Sequence, residues 1–382
     1  MKPPSLAVVF REPLWKSVTD PTGFSTKKPD AYSHAINAWG GYWSASAAFS
    51  SSWNNAQDWI ENGLGRDIQV SGDGLNRIWE GFVNQIRIEA GPLSATIGPL
   101  LGIANRVRAI YATLDSSVAG QPVVGMRQIT DDIDDAGSQA NWPIIPYVLN
   151  VGTMSLAMAN ANCALHLQKF AFPKTNEQLS FPEGSAPRVT VECLGYVHLL
   201  NYPIFDAAAG DVIVSTKITT ALGQTPNSAW LDYGTDHVDT SNTEEITAFE
   251  NEDRLALNVI EEAVGLGDSS GNRWLFGVYD DQDAYYEQAP DDVEYISRIA
   301  SPRVEVQTLA GDSIYPWNVR PGKWAKIVDY LPLKLGTSPL SSDPRLMFIE
   351  GVNYTMPWGL SLSEGGVDKA DQFLAQMGIG AS

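Results

Sequence analysis

The chain carries one short β-type pattern twice: Ile78-Trp79-Glu80-Gly81-Phe82-Val83-Asn84, and then, near the C-terminus, Phe348-Ile349-Glu350-Gly351-Val352-Asn353. Ile78, Glu80 and Phe82 alternate with their neighbours at period two, which predicts a strand. A Gly inside a strand predicts a bulge or a close backbone approach. If the repeat is real, the chain holds two related β-modules. If the repeat is chance, the architecture must be predicted from each strand separately.

The first range, residues 1–120, is predicted to be an antiparallel β-module with one short helix. A strand is expected at Ala7 to Phe10, and others follow from the alternation around Trp43 to Phe49 and around Val107 to Tyr111. The turn Gly72-Asp73-Gly74 leads into the opening stretch. The helix is expected from Asn54 to Asn62 and to end at Gly63.

The second range, residues 121–185, is predicted to be a helical connector. Gly152-Thr153 offers an N-cap to an Ala-rich helix running from Met154 to Leu167, and Pro173 ends the element. The residues that recur at helical spacing, and are expected to form its packing face, are Met154, Met158, Ala161 and Leu165.

The third range, residues 186–310, is predicted to be a central α+β module, and the fourth, residues 311–382, a second β-module. Helices are expected at Ser215 to Leu222 and at Asn251 to Val264, the latter capped by Asn251. Arg273 to Tyr279 is expected to form a hairpin with Tyr285 to Glu287, and residues 367–377 a final helix. The fold class is therefore β-rich α+β, with two β-barrel-like modules, a helical connector and an inserted α+β module.

Composition is typical of a soluble globular protein, with an acidic charge balance. The net charge is −20, from 25 basic and 45 acidic residues, and disfavours electrostatic binding to nucleic acid, although a negative wall would let a polyanion pass without sticking. We expect no membrane anchor, since no apolar run of about 20 residues is present. Cys163 and Cys193, the two cysteines, are expected to be buried free thiols.

The sequence lacks the common motifs of enzymes and cofactor sites, so we expect no catalytic activity, no cofactor and no metal. The four histidines are scattered, with no pair at metal-ligand spacing. The cluster Asp131 to Asp135 lacks the Gly and Glu of a calcium loop and is expected to be a solvated loop. Asp280-Asp281-Gln282-Asp283 is the best candidate for a glycosidase carboxylate pair, but a solvated hairpin tip is the favoured interpretation.

The 12 Trp are numerous for this length. Those in strand patterns are expected in the core or in subunit interfaces. Trp317 and Trp358 follow or neighbour prolines in loops, where they are candidates for subunit contact or for stacking against a sugar.

Three further stretches together resemble the tail hub proteins of long-tailed phages, also called baseplate hub or tail tip proteins. The stretches are Asn141-Trp142-Pro143-Ile144-Ile145-Pro146-Tyr147-Val148-Leu149 with its following helix, the helix Leu255 to Gly267 followed by Arg273 to Tyr279, and Arg320-Pro321-Gly322-Lys323-Trp324. They look like the connector, the helix–strand unit of the inserted domain, and the turn that opens the second β-module of that family.

The resemblance implies a structural protein of the virion, assembled in the host cytoplasm and located at the tail tip. Such hubs form a homotrimeric ring with pseudo-sixfold symmetry that joins the tail tube to a central fibre or spike. The implied partners are a distal tail or tail tube protein, a tape-measure protein and the fibre or spike. DNA would only pass through the ring.

Two functions of other classes stay open at this point. One is a carbohydrate-binding, receptor-recognition protein of a phage tail that uses exposed Trp. The other is a glycan hydrolase, for which any pair of the many carboxylates could serve.

Overall fold

A computed structural model describes residues 6–16, 27–72, 76–91, 93–118, 121–177, 186–206, 211–247, 252–300, 303–328, 334–335, 338–339 and 345–364. The predicted turn at Asp73 and Gly74 and the predicted helix at 367–377 lie outside these residues. No helix within the described part of the chain is long and apolar enough to cross a bilayer.

Strands dominate the described chain, which confirms the predicted β-rich class. In the first half they are β1 (Leu6–Arg11), β2 (Ala31–Asn37), β3 (Gly40–Ser50), β4 (Asp67–Gly72), β5 (Asn76–Ala90), β6 (Leu93–Ile97), β7 (Arg106–Val118), β8 (Gln121–Ile129), β9 (Ile133–Asp134), β10 (Pro146–Thr153), β11 (Thr175–Glu177) and β12 (Arg188–Leu194). In the second half they are β13 (Pro203–Asp206), β14 (Asp211–Ile213), β15 (Glu245–Thr247), β16 (Glu252–Leu255), β17 (Trp274–Val278), β18 (Ala284–Gln288), β19 (Val293–Ala300), β20 (Arg303–Thr308), β21 (Ser313–Ile314), β22 (Trp324–Val328), β23 (Lys334–Leu335), β24 (Ser338–Pro339), β25 (Arg345–Thr355) and β26 (Gly359–Glu364). The helices are α1 (Trp53–Asn62), α2 (Ala136–Gln139), α3 (Leu156–Phe170), α4 (Val214–Gln224) and α5 (Ala256–Gly265).

One large curled sheet collects most of these strands, and both repeats of the opening pattern lie in it. Its main path runs β1-β4-β5-β12-β3-β2-β25-β22-β19-β20-β21. The first repeat lies on β5 and the second on β25, with β12, β3 and β2 between them. Both stretches are therefore strands, as predicted. That they occupy equivalent places in two superposable modules stays a prediction.

Each glycine of the repeat lies where the chain is crowded or irregular. A Cβ on Gly81 would overlap the backbone carbonyl of Leu194 on the next strand. Gly351 lies at a register shift between β25 and β26, where a Cβ would overlap the hydroxyl of Ser363. The predicted bulge or close approach is confirmed at both positions.

The sheet covers a main core and a smaller second one. The main core is rich in aromatic side chains, among them Trp59 of α1 and Trp79 and Phe82 of β5. The second core lies under β19, β22, β25 and β26 and includes Ile327 and Ile349. The C-terminal strands thus bury apolar residues of their own, although β25 pairs directly with β2 of the other part.

A small layer of helices and strands covers one side of the main core. α4 and α5 pack together there, and β13 pairs with β16. The predicted helix from Asn251 is wrong in its first turn, because Glu252–Leu255 is paired to Pro203–Asp206 as a strand. The apolar face of α5 packs inward: Ala256, Val259, Ile260 and Ala263 are buried, and Val264 is partly buried.

The described residues of 104–172 form a second, four-stranded sheet with one helix on it, which we call the side unit. Its strands run in the order β10-β7-β8, with β9 also on β7. The predicted helix forms, as α3, but Ser155 caps it in place of Thr153. β7 comes from the range predicted as the first β-module, and β8, β9 and β10 from the range predicted as a helical connector. The helical periodicity did not predict that strands from these two ranges would form one sheet.

Candidate functional site

Glu80, the conspicuous acid of the opening stretch, is buried and holds two distant parts of the chain together. Its carboxylate accepts hydrogen bonds from Gln69 Nε2 (3.0 Å) and Arg77 Nη1 (2.9 Å). It also accepts from the backbone N–H of Asp281 (2.8 Å) and from the side-chain amide of Gln282. A carboxylate with this many donors is satisfied without a metal or a substrate.

The tip of the β17–β18 hairpin is the partner that Glu80 holds. The Asp281 side chain is 72% exposed, as expected for a solvated tip, but the tip is also docked through the Asp281 N–H and Gln282. Asp281 and Gln282 have positive φ values of 60° and 62°, a conformation uncommon for residues other than Gly. Asp281 Oδ1 lies 2.6 Å from Arg77 Nη1, and Asp280 accepts a hydrogen bond from the Tyr42 hydroxyl (2.5 Å). The tip therefore docks on β5. We call the group formed by Glu80, Arg77 and the tip residues Asp281 and Gln282 the Glu80 clasp.

Burial sets the electrostatics around the clasp. It raises the pKa of Glu80, while the hydrogen bond from Gln69 and the charge of Arg77 lower it. On the neighbouring strand, burial raises the pKa of Asp67 to about 7, although its carboxylate accepts a hydrogen bond from the Tyr196 hydroxyl (2.6 Å). Asp67 is thus the acid in this region whose charge changes near neutral pH.

Glu350, the counterpart of Glu80, has a different environment. Its side chain is half exposed, and Oε1 lies 3.9 Å from Nη1 of Arg273. Arg273 in turn lies over the ring of Phe348 at 4.1 Å. These residues line an open cavity of about 540 Å³, to which Trp39 also contributes. The second repeat therefore faces a cleft with aromatic and charged walls, while the first is closed.

The two tryptophans proposed for subunit or sugar contact lie next to each other but differ in access. Trp317 is only 1% exposed and is stacked on Tyr315 with ring centroids 4.5 Å apart, and its contact with a subunit or a sugar stays a prediction. Trp358 is half-buried, 6.1 Å from Trp317, and lines a cavity of about 260 Å³. Its contact with a sugar or a subunit stays a prediction.

The acidic cluster at Asp131 to Asp135 is part of the side unit and not simply a solvated loop. Asp134 pairs with Arg106 (2.7 Å), and Asp135 caps α2 by accepting from Ser138 N (2.8 Å). The hydrogen bond to Arg106 lowers the pKa of Asp134. These acids therefore serve the local structure.

The side unit exposes an unusual amount of apolar surface. The face of α3 that packs on β7 consists of Ala159, Cys163 and Leu167, so the predicted stripe is wrong. Met158 and Leu165 of that stripe are exposed. Eight of the thirteen exposed large hydrophobic side chains in the described chain belong to this unit: Val124, Met126, Ile129, Tyr147, Leu156, Met158, Leu165 and Phe172.

The side unit also has two edge strands, β8 and β10. In the described residues β8 is paired only with β7, and so is β10, which lies on the opposite side of β7. An edge strand presents unpaired backbone N–H and C=O groups to any strand of suitable shape. The side unit thus combines exposed apolar side chains with two edges that have no strand partner in the part of the chain that the structure describes.

No protein-family model matches the sequence, and no curated protein is significantly similar to it. Two solved structures of tail proteins are similar over nearly the whole chain. The tail protein from Neisseria meningitidis MC58 is 7% identical, with 97% of this chain and 99% of that chain covered and a TM-score of 0.41. The 43 kDa tail protein of prophage MuSo2 from Shewanella oneidensis is 6% identical, with 97% and 100% covered and a TM-score of 0.42. At TM-scores below 0.5, neither likeness decides the fold or the function of this chain.

Two of the four histidines differ sharply in their surroundings. His34 is buried, and desolvation lowers its pKa to about 3, so it is neutral. His237 lies among Asp232, Asp236 and Asp283. Sequence reasoning missed this group, because Asp283 follows His237 by 46 positions and joins it only through the packing of a loop on β18.

Proposed function

We propose that the chain is a structural subunit of a homotrimeric, pseudo-sixfold ring at the tip of a phage tail. The ring joins the tail tube to a central fibre or spike and lines the path by which DNA leaves. It works with a distal tail or tail tube protein and a tape-measure protein, and performs no catalysis. The residues that resemble tail hub proteins suggest this function, and the surface of the side unit is the observation that supports it.

Exposed apolar surface of this kind favours a protein interface. Large apolar patches are rare on monomeric soluble proteins and mark sites of association. Met126 is 86% exposed and Leu165 63% exposed, and both belong to the side unit. A partner that covers them recovers about 25 cal/mol for each Å² of apolar surface removed from water.

The two free edges of the side unit suggest how copies join. If β8 of one subunit pairs with β10 of the next, each contact is head-to-tail, because the two edges are different surfaces. A head-to-tail contact closes into a ring when the rotation between neighbours divides a full turn. A trimer is the ring size that the resemblance implies.

The second core is compatible with the pseudo-sixfold part of the proposal. A chain with two β-units can offer six similar surfaces in a trimer. β19, β22, β25 and β26 bury their own apolar cluster, so the C-terminal strands have the core that a second unit requires.

The test is the mass of the purified full chain in solution, measured by light scattering over a range of concentrations. We expect about three times the 41.5 kDa of one chain. Met126→Lys and Leu165→Lys should shift the mass toward one chain, because a buried unpaired charge at an interface costs several kcal/mol. Leu309→Lys is the matched control, since Leu309 is exposed but lies outside the side unit. A wild-type chain that stays monomeric, also with tail-tube partners, would contradict the proposal.

The cavity beside Glu350 favours a second candidate function, carbohydrate binding at a phage tail. Trp39 offers a face for a sugar ring, and Glu350 and Arg273 offer polar groups. Binding of cell-surface glycans that is lost in Trp39→Ala, but kept in Trp317→Phe, would support this candidate. Loss in Trp358→Ala would locate the sugar at the smaller cavity instead.

A further inference from the structure

A loop and a hairpin bring one histidine and three aspartates to a single point on the surface. The loop after the 3-10 turn Pro226–Trp230 runs beside β18 and carries Asp232, Asp236 and His237. It is fixed by backbone hydrogen bonds from Ala284 N to Asp232 O (2.7 Å) and from Tyr286 N to His237 O (3.0 Å). Asp283, just before β18, is thereby placed next to the loop.

The three aspartate side chains surround the Nε2 atom of His237. Asp236 Oδ2 lies 3.6 Å from it, Asp232 Oδ2 3.7 Å and Asp283 Oδ1 3.8 Å. The ligand atoms of Asp232, His237 and Asp283 all lie within 4.8 Å of one another. Direct hydrogen bonds would be about 2.7 to 3.2 Å long. Neighbouring ligands of an ion with bonds of about 2.1 Å lie roughly 3 to 4 Å apart, which is closer to the observed separations.

The histidine ring is held so that Nε2 faces the carboxylates. The side chain is only 14% exposed and lies edge-on to Tyr285, with ring centroids 4.8 Å apart. Its Nδ1 atom is buried, with no hydrogen-bond partner among the described residues. The packing thus leaves Nε2 as the ring atom that can meet a ligand, and three carboxylates converge on the same point.

The mixture of ligand atoms decides which cation fits. Calcium and magnesium prefer sites made of oxygen ligands, and magnesium usually keeps several waters. One imidazole nitrogen with two or three carboxylate oxygens is the mixture found at zinc and other divalent transition metals. We propose that Asp232, His237 and Asp283 bind a divalent transition-metal ion, Zn²⁺ or Mn²⁺, with the exposed Asp236 as a fourth ligand.

Such an ion would tie the 231–239 loop to the hairpin whose tip docks on Glu80. Asp283 is two residues from Asp281, which contacts both Glu80 and Arg77. The ion would therefore link the clasp to the loop and stabilise the folded chain by binding to it alone. This inference does not depend on the proposed ring.

The experiment is calorimetric titration of the chelator-treated full chain with ZnCl₂, MnCl₂ and CaCl₂. We expect one Zn²⁺ or Mn²⁺ per chain and weaker binding of Ca²⁺. Asp232→Asn and Asp283→Asn should each weaken Zn²⁺ binding at least about tenfold, since even outer-shell changes cost that much. Asp131→Asn, an aspartate of the other acidic cluster, should change nothing. Equal Zn²⁺ affinity in wild type and Asp232→Asn, or no binding to wild type, would overturn the proposal.

Folding controls keep these results interpretable. Asp232 is exposed, and its Oδ1 accepts a hydrogen bond from Gly234 N (3.1 Å), which an Asn can also accept. Asp232→Asn should therefore melt at the wild-type temperature without metal but lose the rise in Tm that Zn²⁺ gives the wild type. A Zn²⁺-induced rise that persists in this variant would place the ion elsewhere. Zn²⁺ binding retained in Met126→Lys would separate this site from subunit assembly.

Discussion

The two copies of the Glu-Gly motif are both strands, and they differ in the surroundings of the acid. Glu80 is buried and accepts hydrogen bonds from the hairpin tip 200 residues away in sequence. Glu350 is half exposed and lines an open cavity. Both glycines nevertheless lie where the strand is crowded or bulged. A short pattern can thus specify a strand and an irregularity in it, while the role of the acid depends on what the rest of the chain packs against it.

The largest difference in the free energy of unfolding is expected between substitutions of the two glycines. Gly81→Ala should lower the free energy of unfolding by about 4 kcal/mol, because the added Cβ meets backbone, which cannot move alone. Gly351→Ala should cost about 1 kcal/mol, since it meets the Ser363 hydroxyl, which can rotate. Urea unfolding measures both. Ser363→Ala should rescue Gly351→Ala, and equal costs at the two glycines would contradict the comparison.

The next largest effect is a pH dependence of stability, expected from the strand beside the first copy and not from the second copy. Burial raises the pKa of Asp67 from 3.8 to about 7, so the folded chain keeps a proton that the unfolded chain has released. The free energy of unfolding should therefore fall as pH rises through this window, by on the order of 3 kcal/mol between pH 5 and 8 from this group.

Asp67→Asn should remove that loss, because Asn can still accept from the Tyr196 hydroxyl but does not ionise. Urea unfolding of wild type and variant at pH 5 and pH 8 measures the difference. Glu350→Gln, at the second copy, should leave the pH dependence as in the wild type. A wild-type slope that survives in Asp67→Asn would show that another group titrates.

The smallest difference concerns the two acids at neutral pH. Glu80→Gln should destabilise by about 2 kcal/mol, because an amide NH₂ faces donors from Arg77, Gln69 or the hairpin tip. Glu350→Gln should stay within about 0.5 kcal/mol, as exposed substitutions do. Hydrogen exchange at residues 280–283 provides a second measurement: it should rise in Glu80→Gln and stay unchanged in Glu350→Gln.

Local sequence patterns correctly predicted those strands and helices whose tertiary contacts agree with the pattern. β3, β5 and the β17–β18 hairpin are strands, as predicted, but residues 78–83 of β5 are buried on both faces, so the alternation there is not one of exposure. The start of α5 was mispredicted because Glu252–Leu255, although suited to a helix N-terminus, is paired to β13. The stripe of α3 was mispredicted because Ala159 and Cys163 pack on β7 while Met158 and Leu165 stay exposed. On its own, amphipathic spacing does not tell which face meets the sheet.

The candidate sites were less predictable, since they depend on contacts across the chain. Nothing near Glu80 indicates that a hairpin tip at 280–283 would reach it. Asp232 and His237 lie five positions apart, a spacing without a known metal motif, and Asp283 joins them only through the folded hairpin. A clue was present in Asp280-Asp281-Gln282-Asp283, where an acid-rich tip follows an aromatic strand. Its partners could be found only from the structure.

The proposed ring rests mainly on the exposed apolar surface of the side unit. An image of the assembled chain tests the ring most directly. Electron microscopy of the purified chain, alone and with tail-tube partners, should show closed rings with threefold symmetry and six similar densities around a central opening. Met126→Lys should abolish the rings while Leu309→Lys keeps them. Wild-type particles of single-chain size under all these conditions would contradict the ring.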